Sequence, residues 1–206
     1  DKDFNLARRY SAQACDGGSA TGCFYLGVIF DNGEGCEADK EKAQALYEKA
    51  CDGQIAEGCF NAANMLNTES ADIAVLAKVR EFYARACALD HVESCTQLGW
   101  MLEFGEGGPV ELVRAREYFL KVCESQYSGS GCQRAMHFLY HGKGGLPDIE
   151  KAIEIGKHGC EMNDLSMCDA TGWYLYGEGR DAEAAAMFEK GCNPAEGKPE
   201  SNACWN

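Results

Sequence analysis

The stretch ATGCFYLGVIFDNGEGCEADKEKAQALYEKACDG, residues 20–53, holds one complete copy of the pattern that organises the chain. Ala20, Cys23, Leu26, Gly27 and Phe30 recur at the three- and four-residue spacing of a single helix face. Asn32-Gly33-Glu34-Gly35 breaks that helix, because glycine reaches the left-handed conformations that helix stops and turns require. Asp39 is placed to cap the next helix with its side-chain oxygen. Lys42, Ala43, Leu46, Tyr47 and Ala50 carry that helix to Cys51, and Asp52-Gly53 ends it.

The same two-helix unit repeats along all 206 residues, and the cysteines mark its period. Cys15, Cys51, Cys87, Cys123 and Cys160 are 36, 36, 36 and 37 residues apart. Each is followed by a second cysteine: Cys23, Cys59 and Cys95 eight residues on, Cys132 nine on, Cys168 eight on. A sixth pair is Cys192 with Cys204, and Cys36 is left over. A fixed period in the thirties identifies a solenoid built from one supersecondary unit. The later units predict helices from Cys95 to Gly105 and Val110 to Cys123, Cys132 to Gly142 and Asp148 to Cys160, and Cys168 to Gly177 and Asp181 to Cys192. Gly27, Ala63, Gly99, Met136 and Gly172 share a column in which small residues, Met136 excepted, allow close helix contact.

The expected organisation is a single array over 1–206: an N-terminal helix of a partial repeat (1–18), repeats at 19–54, 55–90, 91–127, 128–163 and 164–198, and a partial repeat at 199–206. Two units depart from the pattern. NTESADIAVLAKVREFYARAC (67–87) replaces the Gly-x-Gly turn, and the interval from Cys168 to Cys192 is four residues short. A helix from Asp3 to Ala14 opens the chain, and Glu200 to Asn206 reads as the start of another. The absence of an initiator Met and of a basic, apolar leader suggests a processed or trimmed product.

Within each pair, one cysteine ends a helix and the other begins the next. Antiparallel helix ends joined by a short turn bring α-carbons within the roughly 4.4–6.8 Å that a disulfide spans. Zinc is the alternative, but structural zinc sites space paired ligands by about two to four residues, and no CxxC occurs. Disulfides over the twelve cysteines point to an oxidising compartment, periplasm or cell exterior. Cys36 reads as a buried free thiol at the place that Val110 or Leu146 takes in later units.

The pattern A-x-x-C-x-x-L-G-x-x-F/Y-x-x-G-x-G, followed by D-x-x-K-A-x-x-x-Y-x-K-A-C-x-x-G, resembles the Sel-like repeat, a relative of the tetratricopeptide repeat. Its disulfide-stapled 36-residue form looks like that of the Helicobacter cysteine-rich proteins. Residues 20–53 and 92–124 match best. The resemblance implies an all-α fold, a right-handed α/α superhelical solenoid of about five disulfide-stapled helix-pair repeats, exported and binding a protein or peptide in a concave groove. Some of that cysteine-rich group are described as penicillin-binding proteins or weak β-lactamases, which implies a β-lactam-binding or weak β-lactamase function as the alternative.

Catalytic motifs give no support to that alternative. No lysine follows a serine by three positions, as the S-x-x-K nucleophile arrangement needs. Neither a G-x-S-x-G elbow nor a phosphate-cradling glycine loop occurs. His137 and His141, four apart on one helix, form a possible zinc pair, but HFLYH lacks an internal glutamate and a nearby third ligand. No catalytic residue, metal or cofactor is assigned.

A binding surface is expected on the first helices, opposite their core stripe, at the positions of Thr21, Tyr25, Val28 and Asn32. The Tyr25 column continues through Asn61, Gln97, Arg134 and Ala170; the Val28 column through Asn64, Trp100, His137 and Trp173. The candidate binding residues are therefore Tyr25, Asn61, Asn64, Gln97, Trp100, Arg134, His137 and Trp173, since aromatics, arginine and amides dominate recognition surfaces. Glu57, Glu93 and Glu103 border this wall and favour a cationic partner. With 33 acidic against 19 basic residues, the formal charge of −14 excludes nucleic-acid backbones and anionic membranes as partners. No apolar run reaches the roughly 18 residues of a membrane span. An inhibitor or immunity protein that occludes a toxic enzyme is the specific form of this expectation.

Overall fold

In the computed structural model, residues 3–67, 72–126 and 129–192 are described, and among them are eleven α-helices and no strand. The chain forms two compact units, Asp1–Val110 and Glu111–Asn206. The first contains α1 (Phe4–Asp16), α2 (Ala20–Asn32), α3 (Lys40–Asp52), α4 (Ala56–Asn67), α5 (Ile73–Ala88) and α6 (Val92–Phe104). The second contains α7 (Leu112–Gln126), α8 (Gly129–His141), α9 (Ile149–Glu161), α10 (Leu165–Gly177) and α11 (Asp181–Gly191). Within each unit every helix packs on the next, the arrangement of an α/α solenoid.

The first helices start about one turn before their cysteine, at Ala20 as expected in α2 but earlier than the expected Cys95, Cys132 and Cys168 in α6, α8 and α10, because the capping residue stands four positions ahead of the cysteine. Ser19 Oγ accepts from Gly22 N at 3.1 Å, and Asp164 Oδ1 accepts from the N–H groups of Ser166 and Met167. At the other end, Cys123 is followed by three more residues of α7 rather than closing it. Asp39 and Asp148 cap the second helices as expected, accepting from Lys42 N and Lys151 N at 3.0 and 3.1 Å.

Cys15–Cys23, Cys51–Cys59, Cys87–Cys95, Cys123–Cys132 and Cys160–Cys168 are disulfides with Cα separations of 4.5–4.7 Å. Cys192 is also disulfide-bonded, and its expected partner Cys204 lies outside the described residues, as does the helix expected at 200–206. Within three of the loops these bridges close, the third residue after the first cysteine is a left-handed non-glycine: Gln54, Asp90 and Asn163, with φ of 65°, 63° and 64°. Cys36 is the free cysteine among the described residues and is half-buried. Its neighbours are not those expected: the Gly-x-Gly turns superpose so that Cys36 occupies the position of Gly108 and Gly145, not of Val110 and Leu146.

Each first helix is buried on two sides rather than along one stripe. In α2, Ile29 is buried together with Gly22, Cys23, Leu26 and Gly27, because α2 packs on both α1 and α3. A Cβ at Gly27 would fall 2.9 Å from the Tyr47 ring, and one at Gly172 would fall 2.5 Å from Phe188. Met136, the large exception in that column, faces Gly156, whose added Cβ would meet its Cε at 2.5 Å. The volume lost on one helix is supplied by the other, which keeps the contact at interior density.

Arginines on the second helices hold the following turn. Arg8 donates to Gly35 O at 3.4 Å, Arg80 to Pro109 O at 3.2 Å, and Arg116 to Leu146 O at 2.8 Å. Gly108 and Gly145 leave the space that the Arg80 and Arg116 guanidiniums occupy. Gln44 stands at the corresponding position ahead of the repeat that lacks a Gly-x-Gly turn, and its Oε1 is buried without a hydrogen-bond partner.

Candidate functional site

In the first unit, the exposed faces of α2, α4 and α6 carry Tyr25, Asn61, Asn64, Gln97 and Trp100. Tyr25 is 56% exposed, with its ring edge-on to Phe24 at 5.5 Å. Trp100 is half-buried and stacks on Phe104, one turn further along α6, at 5.8 Å and 6°. Phe104 is itself 58% exposed. It belongs to the Asn32 column, so tracing that third column would have found it. Gln97 is half-buried beside them.

Asn61 and Asn64 serve the fold as well as the surface. The buried Tyr47 sends its hydroxyl to the first-helix wall, where it donates to Asp31 Oδ2 at 3.1 Å and hydrogen-bonds Asn61. Tyr83 repeats the device, donating to Asn64 Oδ1 at 2.5 Å and hydrogen-bonding Asn67. Burial, reinforced by Asp31, pushes the Tyr47 hydroxyl well above its ordinary pKa; burial and the nearby Glu93 push Tyr83 up to about 12. Both phenols are neutral donors at any physiological pH, and both amides are committed to them.

Of the three carboxylates expected to border this wall, Glu57 and Glu93 are exposed. Glu103 is not: it retains 7% of its exposure and belongs to the interior. It occupies the position of Asp31, whose side chain turns toward the second helix rather than outward.

In the second unit, Arg134 and His137 lie one turn apart on α8, with His141 a turn further. The His137 and His141 rings are 4.4 Å apart. Among the described residues, no group of three or more His, Cys, Asp or Glu side chains is arranged to hold a metal. Arg134 lies over Phe138, with its guanidinium carbon 5.9 Å from the ring centroid. Trp173 on α10 is 53% exposed and packs edge-on against Phe188 at 5.3 Å and Tyr176 at 6.2 Å. Tyr140 and Tyr174, absent from the expected set, stack at 4.3 Å and 11°, and Tyr140 Oη donates to Glu178 at 2.9 Å. Burial, then the bond to Glu178, raises the Tyr140 pKa. The signal for Tyr140 lay in the Asp31 column, which runs Asp31, Asn67, Glu103, Tyr140 and Tyr176 and varies as binding columns do, whereas Tyr174 belongs to the Ile29 column, with Met65, Met101 and Phe138.

Helix pairs stapled at their turns, each packed on the next within its unit, define an α/α repeat protein. The chain belongs to the Sel1 repeat family: the Sel1 repeat model matches residues 1–19, 20–54, 92–127 and 132–164, more than half of its length. Repeats of this family are generally protein–protein interaction modules. The two long stretches left unmatched, 55–91 and 165–206, are those that contain the replaced turn and the shortened loop. A Sel1 repeat protein from Oxalobacter formigenes has a similar structure, with a TM-score of 0.74 and 17% identity over 92% of this chain and 82% of its own. A protective antigen of uropathogenic Escherichia coli with an SLR fold gives 0.51 and 19% over 92% of this chain and 49% of its own. Helicobacter pylori cysteine rich protein B gives 0.47 and 26% over 62% and 91%. No curated protein matches the sequence. No helix among the described residues is long and apolar enough to cross a membrane.

Proposed function

We propose that the exposed first-helix faces capture a protein or peptide partner, and that catalysis is not this protein's role. One observation carries the proposal: Tyr25, Phe104 and Trp173 each keep more than half of their surface in water on those faces, where burying a large aromatic against a partner is worth most. The units of the wall are taken as 19–54, 55–90, 91–127, 128–163 and 164–198. Glu57 and Glu93 suit the first unit to a cationic partner. In its specific form the protein is an inhibitor or immunity protein whose charge of −14 fits the basic cleft of a toxic enzyme. The five bridges support an oxidising location, periplasm or cell exterior, because cytosolic thiols are kept reduced.

A pull-down from the native envelope or secretome, repeated with Trp100→Ala and Arg134→Ala, tests the proposal. At least one substitution is expected to reduce capture about tenfold, the weight of an interface anchor; unchanged capture by both contradicts the assignment. The enzymatic alternative is tested separately with a chromogenic β-lactam. Turnover that follows the protein through purification would contradict a binding-only role.

A further inference from the structure

The contact between α8 and α10 shows what one position of the repeat does when the next first helix covers it. Tyr140 stands eight residues after Cys132, is half-buried, and stacks on Tyr174 of α10 at 4.3 Å and 11°. Its hydroxyl donates to Glu178 Oε1 at 2.9 Å, four residues beyond Tyr174 and so about one helical turn along. Gly177 makes room for that hydroxyl, since an added Cβ would lie 2.8 Å from it. Tyr176 stands eight residues after Cys168, the same position one repeat later. It is 59% exposed, its ring meets Trp173 edge-on at 6.2 Å and 90°, and its hydroxyl has no partner among the described residues. Successive residues turn about 100° around a helix, so Tyr174, which faces α8, lies about 160° from Tyr176, which faces away from it. The flanking residues leave the Tyr176 ring open. Where Tyr140 is followed by His141 and Lys143, Tyr176 is followed by Gly177 and Gly179, and a Cβ added at Gly179 would have nothing within 4 Å. Trp173, 53% exposed, extends the apolar surface beside it.

We infer that this edge of α10 binds a helix of a partner protein, one that lays an aromatic ring on Tyr176 and receives the Tyr176 hydroxyl on a carboxylate one turn further along. The occupant is read from continuity with the α8–α10 interface. In a stack of repeats each edge takes the element that follows it, and the element that follows at Tyr140 is a helix with an aromatic ring and a carboxylate at i and i+4. The partner helix takes on α10 the place that α10 takes on α8. Stacked aromatic rings and a hydrogen bond to a charged oxygen both favour this occupant over a plainly apolar one. The inference rests on the first-helix faces being the binding surface, and it adds the pattern that one of them reads.

The test selects a display library of helical scaffolds, randomised on one face, against the immobilised, disulfide-intact full chain, and measures the selected scaffolds by fluorescence anisotropy. The expected result is enrichment of Tyr, Phe or Trp at one position with Asp or Glu four residues on. Affinity should fall about tenfold or more with Tyr176→Ala. Tyr176→Phe keeps the ring and separates the two contacts. Replacing the selected acid by its amide should weaken binding to the unsubstituted chain but make little difference to Tyr176→Phe, a coupling that a misfolded variant would not show. Scaffolds without the aromatic–acid pair, or scaffolds indifferent to Tyr176→Ala, overturn the inference. Self-association of the chain in sedimentation velocity, lost with Tyr176→Ala, would give this edge to a second copy and overturn it too. If the selected scaffolds depend on Tyr25 or Trp100 instead, the proposed function stands and this inference fails. If nothing is selected above the uncoated support, both fail.

Discussion

At the scale of single residues, a few side chains set how closely the helices approach. Gly27 lies under Tyr47 with no room for a methyl group, so Gly27→Ala should destabilise the protein by about 1–3 kcal/mol, the usual cost of overpacking. Gln54 holds a left-handed φ of 65°, a conformation that costs a side chain roughly 1–2 kcal/mol and that glycine adopts freely. Gln54→Gly should therefore raise stability by about 0.5–1 kcal/mol once glycine's greater unfolded-state entropy is subtracted. Thermal denaturation of both variants under oxidising conditions checks the two signs. The glycine at position 27 could be read from sequence, because it recurs with the period. The compensation at Met136 could not be read from that column alone; it needed the facing column, in which Tyr47, Tyr83, Phe119, Gly156 and Phe188 succeed one another. The roles of Asn61 and Asn64 were hidden for a related reason. A helix-face projection shows that an amide points outward, but not that a buried tyrosine from another helix reaches it.

At the scale of elements, caps, turns and bridges define each helix pair. The Asp164 carboxyl is pushed up by burial, but hydrogen bonds from Gly129 N, Ser166 and Met167 N outweigh this and hold it below the ordinary 3.8. A depressed folded pKa stabilises the protein above the unfolded value, and that contribution is lost as pH falls through the folded one. Asp164→Asn, which still caps, should flatten the acid limb of a pH–stability curve below about pH 4; an unchanged acid limb would show that the cap is not the titrating element. Removing one staple, as in Cys51→Ser with Cys59→Ser, should cost about 2–3 kcal/mol, measured by urea unfolding. The arginine latches make a subtler prediction. Arg116→Ala should speed amide exchange in the turn between Gly142 and Asp148, whose Leu146 carbonyl it holds, and leave the turn after α2 unchanged. The staples were legible because a covalent bridge fixes both spacing and residue type. The latches were not, since Arg8, Arg80 and Arg116 alternate with Gln44 where the following turn is itself missing.

At the scale of the molecule, periodicity settles the fold and leaves the partner to the surface. Core columns repeat because every helix pair makes the same contacts, whereas the outward columns vary, and variation alone does not say which face meets a partner. The five described bridges and the bonded Cys192 account for eleven cysteines; with Cys204 as the expected partner of Cys192, the denatured protein should titrate one thiol, that of Cys36, and three would mean that Cys192 and Cys204 are unpaired. The claim that the first helices form the binding surface is tested most directly by photo-crosslinking to the captured partner. A benzophenone amino acid replaces Tyr25 or Tyr176 on first helices, and Glu41 or Glu117 on second helices, all of them exposed positions. Partner adducts from the first-helix positions, with none from Glu41 or Glu117, are the predicted result. Adducts from the second helices alone would contradict the account.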